Sequence, residues 1–288
     1  MQAVGAEKLL ELRVDSKTFR SAKNAPIEVL RDFAFELAAG SFASLVGPSG
    51  CGKTTILRIA AGLDRDFQGE RRISPSTRVA MVFQEPRLLP WRSVEDNVRV
   101  AMDAASVTGE VGEWLERFDL VEQRRQYAAE LSLGQARRVA MARAMSVGPD
   151  LLLLDEPLVS LDETVAERLR GELRAIAETR KLGILLVTHD LGEAIELSDR
   201  LLFLGGKPAS VVLERELSMP RSRRDRRTVA ALAEEIAAQT RTPHNDAKLR
   251  NRDTRICTNR SDRRPRHKDG LLLRSASASA ECRSWDRW

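Results

Sequence analysis

The chain has 288 residues, 42% of them hydrophobic and 31% charged, with a formal net charge of +5, a composition ordinary for a globular protein of one or two domains. Its longest apolar runs, such as Leu151 to Leu154 and Ile184 to Val187, fall far short of the roughly 20 residues that span a bilayer, and charges interrupt the N-terminal stretch where a secretory signal needs an apolar run. Three cysteines without metal-ligand spacing argue against a disulfide framework or a zinc site, and the expectation is a cytoplasmic protein.

Residues 8 to 46 alternate in the manner of strands: LLELRV, a polar loop SAKNAP, then IEVLRDFAFEL and SFASLV. Phe19, 28 positions before Gly47, lies in the loop-entry segment SKTFRS, where its ring either stacks on a base or packs in the ordinary way. The next stretch runs Gly47, Pro48, Ser49, Gly50, Cys51, Gly52, Lys53, Thr54, Thr55. It follows an apolar run, Phe42 to Val46, and precedes an apolar-periodic segment, Ile56 to Ala61, so strand, tight loop and helix are written in the order a phosphate-binding loop requires. Gly47, Gly50 and Gly52 let the backbone take conformations that side chains resist, so that successive N–H groups can turn inward around a phosphate. Lys53 adds a movable positive charge, Thr54 offers a hydroxyl to Mg²⁺, and the helix start adds partial positive charge. Cys51 is either a small space-filling residue, the reading we favour, or a thiol whose pKa the helix start lowers. Gly62 offers the helix a stop.

A short strand, Arg78 to Phe83, ends at Gln84, which opens QEPRLLPWRSVEDNV. Two prolines shape this loop, and Leu88, Leu89 and Trp91 are expected to form an apolar docking surface unless they fold back onto their own helices. Val94 to Tyr127 has a helical, amphipathic pattern. Ser132 followed by Gln135 fits a capping box for a helix over Ala136 to Met145, whose start is an anion site. Leu151 to Leu154 reads as a buried strand that delivers Asp155 and Glu156 at its carboxyl end. Neighbours on a strand point to opposite sides, so the two carboxylates are expected to differ in role: Asp155 as a Mg²⁺ partner, Glu156 as the group that polarises an attacking water. Asp162 is expected to cap a helix over Glu163 to Ala177. The strand GILLVT then presents His189, followed by Asp190, at a carboxyl end, where ligands of open α/β sheets bind. A strand pair, RLLFLGG and ASVVLER, closes the body near residue 217, and Arg227 to Gln239 reads as one more helix.

The basic charge belongs to the end of the chain. Residues 241 to 288 hold 13 Lys or Arg against 6 Asp or Glu, a net of +7, which leaves −2 for residues 1 to 240. Apolar residues are sparse there and no period holds, so residues 241–288 are expected to be a disordered basic tail, either solvated or a non-native reading-frame extension. A chain ending near residue 240 is expected to keep its fold and its activity; losing either on truncation refutes that reading.

With the phosphate loop, Gln84, LSLGQ, LLLLDEP, SLD and His189 in that order, residues 8 to 217 resemble the nucleotide-binding subunit of an ATP-binding-cassette (ABC) transporter. The resemblance implies an α/β fold: a P-loop NTPase core, with a mixed sheet and flanking helices, an antiparallel β subdomain and an inserted α-helical subdomain. The ATP-binding domain would occupy residues 1–220, with the helical subdomain at about 85–148, followed by a C-terminal helix within 221–240. It further implies that Lys53, Thr54 and the loop from Gly47 to Thr55 hold ATP and Mg²⁺. Gln84 would be the Q-loop residue that senses the metal and faces the membrane partner. Asp155 would be the Walker B carboxylate, Glu156 the catalytic base and His189 the switch histidine at the γ-phosphate. Asp162 would be the D-loop acid at a dimer interface, Ser132, Gly134 and Gln135 would meet the nucleotide of the opposite subunit, and Phe19 would stack on adenine. Leu133 stands where the family's usual LSGGQ has a glycine, while Ser132 and Gly134 are kept.

FQEPRLLPWRSVEDNV and GGKPASVV are similar to importers of nitrate, aliphatic sulfonates and taurine. The expected partners are a second ATPase subunit in a homodimer, two transmembrane permease subunits and an extracytoplasmic solute-binding protein, with no nucleic acid. The expected place is the cytoplasmic face of the plasma membrane, as a peripheral protein. The rival readings are a soluble cassette ATPase acting on nucleic acid or ribosomes, supported only by the basic tail, and an ATP-binding regulator without turnover.

Overall fold

The computed structural model describes residues 8–20, 25–159, 161–179 and 181–241. Two strands, β1 (Lys8–Arg20) and β2 (Pro26–Ala38), alternate buried and exposed residues along much of their length, the pattern of a sheet with one face on a core and one in water. β3 (Phe42–Val46) is buried throughout and leads through the glycine-rich loop into α1 (Lys53–Ala60). β4 (Gln68–Ile73) and β5 (Val79–Val82) follow. The next segment is helical: α2 (Val94–Ala104), α3 (Val111–Arg117) and α4 (Leu133–Ser146). The remainder alternates β6 (Leu151–Asp155), α5 (Glu163–Thr179), β7 (Gly183–Thr188), α6 (Leu191–Leu197), β8 (Arg200–Gly205), β9 (Ser210–Glu216) and α7 (Arg226–Arg241).

Two sheets result. One is antiparallel, in the order β2-β1-β4; the other is six-stranded, in the order β5-β6-β7-β3-β8-β9, parallel except for its β9 edge. The large sheet separates two cores, and the two-residue period of its strands decides which residue joins which. Leu152 and Leu154 of β6, with Ile184 and Leu186 of β7, pack with Val98, Phe118 and Met141 of the helical layer. Leu151, Leu153, Leu185 and Val187 point the other way, into a core shared with α1 and the β1–β2 pair. All eight are fully buried, each stabilising by about 1.5–3 kcal/mol relative to exposure. This is why four consecutive leucines make a central strand: both faces are covered.

Three features depart from the sequence expectation. The pattern from Val94 to Tyr127 is not one continuous helix, because Ser106 (φ 53°) and Asp119 (φ 55°) take left-handed conformations that end α2 and follow α3. β4, QGERRI, carries almost no apolar signal; it is a strand because β1 offers a free edge. Phe19 lies on β1, paired with Ile27 of β2, and not in a loop. The chain divides into two units, Met1–Glu234 and Glu235–Trp288, with the division inside α7. From residue 242 the expected tail lies outside the described residues. No described helix is long and apolar enough to cross a membrane.

Candidate functional site

The loop from Gly47 to Gly52 leaves the end of β3 and enters α1. Its glycines have different reasons. Gly50 (φ 78°) and Gly52 (φ 101°) are left-handed, as glycine permits. Gly47 is required by close packing instead: a Cβ there would lie 3.0 Å from both Cys51 Sγ and the Leu204 carbonyl oxygen. Pro48 is half-buried, Ser49 and Thr54 are exposed, and Thr55 is half-buried on the first turn of α1. The Lys53 side chain is buried and folds back on the loop, its Nζ donating to the carbonyls of Gly47 (2.7 Å) and Pro48 (3.0 Å). Cys51 is buried, and burial pushes its thiol pKa up, outweighing the lowering effect of Lys53. The space-filling reading therefore stands, and the lowered thiol pKa is corrected: desolvation of a thiolate outweighs the nearby positive charge.

Asp155 ends β6 only 2% exposed, and Thr54 Oγ1 donates to its Oδ1 at 3.1 Å. Burial raises its pKa, against the Thr54 hydrogen bond and Lys53, so this carboxylate gains from a cation beside it. The chain then turns sharply: Glu156 is left-handed (φ 46°), with its N–H donating to the Val187 carbonyl at 2.9 Å. That turn, and not strand alternation, separates the directions of the two carboxylates.

Three candidate residues from distant parts of the chain meet at Glu156. Gln84 Nε2 donates to Glu156 Oε2 at 3.4 Å, and Lys53 Nζ and His189 Nδ1 lie 3.7 and 3.4 Å from Oε1. The His189 contact has ion-pair distance without hydrogen-bond alignment, so its buried Nδ1 has no hydrogen-bond partner among the described residues. The sheet order explains the meeting. Gly47, Glu156 and His189 directly follow β3, β6 and β7, Gln84 follows β5 closely, and β5-β6-β7-β3 are neighbours in one parallel array. Their carboxyl ends share one edge, where open α/β sheets bind ligands.

The other candidates are elsewhere. Ser132 caps α4 through a capping box: its Oγ accepts from the Gln135 N–H (3.3 Å), and Gln135 Oε1 accepts from the Ser132 N–H (2.9 Å). The helix begins at Leu133, three residues before the expected start. Leu133 is 47% exposed. Asp162 Oδ1 accepts from the Val165 N–H at 3.0 Å, at the start of α5. Among the described residues no hydrogen bond or ion pair joins Ser132, Gly134, Gln135 or Asp162 to the Glu156 cluster. Phe19 is 42% exposed, with Lys17 Nζ 4.5 Å from its ring centroid.

In the loop after Gln84, Leu88 packs against the helical core while Trp91 is 69% exposed. Leu88 thus folds back onto the helical layer, as one of the two readings expects, and Trp91 does not. A groove of about 420 Å³ beside them is lined by Pro86, Leu88, Pro90, Leu131, Leu133 and Ala136. Arg137 is a residue the sequence reading passed over. It is buried on α4, its Nε and Nη1 unpartnered among the described residues; burial lowers its pKa, and the charge of Glu156 acts against that. Only burial singles it out, since ARR in a helix reads as a solvated face.

Comparison with known proteins agrees with this geometry. The family profile described as ABC transporter matches residues 30–159. The aliphatic sulfonates import ATP-binding protein of Pseudomonas savastanoi pv. phaseolicola is 43% identical over 221 residues, covering 76% of this chain and 91% of that protein. Its counterpart from Burkholderia cenocepacia is 41% identical over 242 residues, 81% of this chain and 88% of the relative. The dimeric structure of MJ0796, a bacterial ABC transporter cassette, superposes with a TM-score of 0.66 at 26% identity, covering 74% of this chain and all of that one. That cassette is also known as a dimer in a post-hydrolysis state bound to ADP and Pi. A glycine-rich loop between strand and helix, an acidic strand end and a capped LSLGQ helix on this fold, with relatives this similar along most of their length, have one meaning: the chain belongs to the ABC transporter family, as one of its ATP-hydrolysing subunits.

Proposed function

We propose that the chain powers solute import as one of two identical ATPase subunits bound to two membrane-spanning permease subunits at the cytoplasmic face of the membrane. The observation that carries this reading is the convergence of Lys53, Gln84 and His189 on Glu156 beside a glycine-rich loop. ATP phosphates would be cradled by the loop amides from Gly47 to Thr55 and by Lys53, whose present acceptors are two loop carbonyls that phosphate oxygens would replace. The residues fit Mg²⁺: a buried carboxylate, Asp155, touches the Thr54 hydroxyl, and no group of three or more His, Cys, Asp or Glu among the described residues forms a cage of its own. Such a pair suits a metal that takes its other ligands from phosphates and water. Bound there, Mg²⁺ would neutralise charge developing on the phosphates. Glu156 orients and polarises the attacking water, Gln84 hydrogen-bonds the Glu156 carboxylate, His189 lies beside it at ion-pair distance, and Phe19 offers a ring face to the base.

Gly134 supports the dimer. A Cβ on Gly134 would make ordinary contacts, 3.6 Å to Leu161 and 3.8 Å to Val165, and its φ is not in the left-handed range that favours glycine. Nothing within the described chain requires glycine there, whereas the close approach of a partner's nucleotide to the α4 start would. Each ATP would then lie between one subunit's phosphate loop and the other's Ser132, Gly134 and Gln135, with Asp162 at the same interface. The relatives named for aliphatic sulfonates favour a small organic anion such as a sulfonate as cargo, delivered by an extracytoplasmic binding protein.

Ser132→Ala tests the half-site. It removes the cap, destabilising by about 1 kcal/mol. Mg²⁺-ATP turnover is expected to fall roughly tenfold or more, since one donor to phosphate is lost, while ATP binding to the monomer stays near normal. Unchanged turnover would remove LSLGQ from the site. Co-purification of permease chains with the full-length protein checks the assembly.

A further inference from the structure

Thr188 is the last residue of β7 and fully buried, and His189 follows it directly. Three hydrogen bonds close the turn that carries the imidazole. The Asp190 N–H donates to Thr188 Oγ1 (3.0 Å), the Thr188 hydroxyl donates to Glu193 Oε2, and the Glu193 N–H donates to Asp190 Oδ1 (3.0 Å). Asp190 thereby caps α6. Glu193 is 6% exposed, and its second oxygen, Oε1, is buried with no hydrogen-bond partner among the described residues. A carboxylate there would keep a full charge out of water with half its acceptor sites empty; a neutral acid removes that charge and leaves a single O–H to be satisfied, the smaller cost.

We propose that Glu193 is a positioning residue for His189: as a neutral carboxylic acid it holds, through the Thr188 hydroxyl and the Asp190 main chain, the turn that aims the imidazole at Glu156. This rests on the reading of His189 as part of the hydrolytic site. The charged groups around the Glu193 carboxyl are Asp190 at the start of its own helix, Glu156 after β6 and Arg170 on α5. Arg170 is already shared among Glu163, Glu167 and Glu196, so it offers Glu193 little. Burial, with Asp190 and Glu156 adding to it, pushes the Glu193 carboxyl up to about 7 despite Thr188 and Arg170. Deprotonation would place a third negative charge next to Glu156, where ATP brings more. Nucleotide binding therefore favours the protonated acid and holds its proton more tightly.

The test is the pH dependence of Mg²⁺-ATP hydrolysis by the full-length chain, combined with ¹³C NMR titration of its glutamate carboxyl groups. A single ionisation near 7 that silences the site lowers kcat/KM roughly twentyfold from about pH 6.5 to about pH 8.5, and the matching limb in kcat lies at higher pH because bound ATP retains the proton. Glu193→Gln is neutral at every pH and is expected to flatten this limb to less than about threefold. The Glu193 side-chain carboxyl ¹³C resonance, identified by its loss in Glu193→Gln, is expected to titrate with an inflection near 7 in the parent chain. Thr188→Val breaks the same ring without touching a charge, and should lower kcat across the profile, while Thr188→Ser restores it. An alkaline limb unchanged in Glu193→Gln, or a Glu193 carboxyl that titrates in the ordinary carboxylate range, overturns the proposal; should that variant not fold, a Thr188→Val chain as active as the parent overturns it. A His189→Ala chain that hydrolyses at the parent rate overturns the role given to His189, and the Glu193 carboxyl titration then still decides whether a neutral acid lies behind the turn.

Discussion

Glu156→Gln is expected to bind ATP with near-normal affinity and to hydrolyse it at least a hundredfold more slowly, since a positioned general base contributes about 10²–10⁴-fold. The substitution keeps the size of the side chain and its contact with Gln84, but removes the charge that faces Lys53 and His189. With hydrolysis blocked, the ATP-bound dimer should persist, and size-exclusion chromatography in Mg²⁺-ATP should show it. Normal turnover in this variant would remove Glu156 from its role. A Glu156→Gln chain that fails to bind ATP would instead mean that the carboxylate organises the loop through Lys53.

Gly52→Ala is expected to disable both fold and site. Gly52 is the N-cap of α1 at φ 101°, and a Cβ there would meet Leu30 Cδ2 at 2.9 Å and Val29 Cγ1 at 3.0 Å. The left-handed backbone costs about 1–2 kcal/mol with a side chain present, and forcing a methyl into a packed core typically costs a further 1–3 kcal/mol. A total of about 2–5 kcal/mol is a large part of a domain's stability. Thermal unfolding should shift down by about 5 °C or more, and ATP binding should be lost because β2 and the phosphate loop can no longer close on each other. An unshifted melting temperature with intact ATP binding would mean that Leu30 and Val29 yield freely.

The same contact shows how far the sequence could be read. GPSGCGKTT between an apolar run and a helix was legible because its physics is local: backbone freedom, one charge and a helix start. Ser132 and Gln135 were legible for the same reason, since a capping box closes over three residues. β4 was not, because QGERRI becomes a strand only through its pairing with β1. The fate of Cys51 was not, because burial decides the pKa of a thiol and no neighbour in sequence reports it. Gly52 was assigned a conformational reason in sequence, yet its second reason, the approach of Val29 and Leu30, comes from a strand more than twenty residues away.

By itself the sequence determined the glycine-rich loop between strand and helix, the acidic strand end, the capped LSLGQ helix and the buried strands between them. Only the tertiary structure decided that Gln84 and Glu156, 72 residues apart, touch, that His189 joins them, and that Glu193 lies buried behind the turn that carries it. The reason is the strand order. β5, β6, β7 and β3 are adjacent and parallel, so residues just past their ends share one edge, and sheet order depends on the crossover connections and the two cores that they cover, which no single segment encodes.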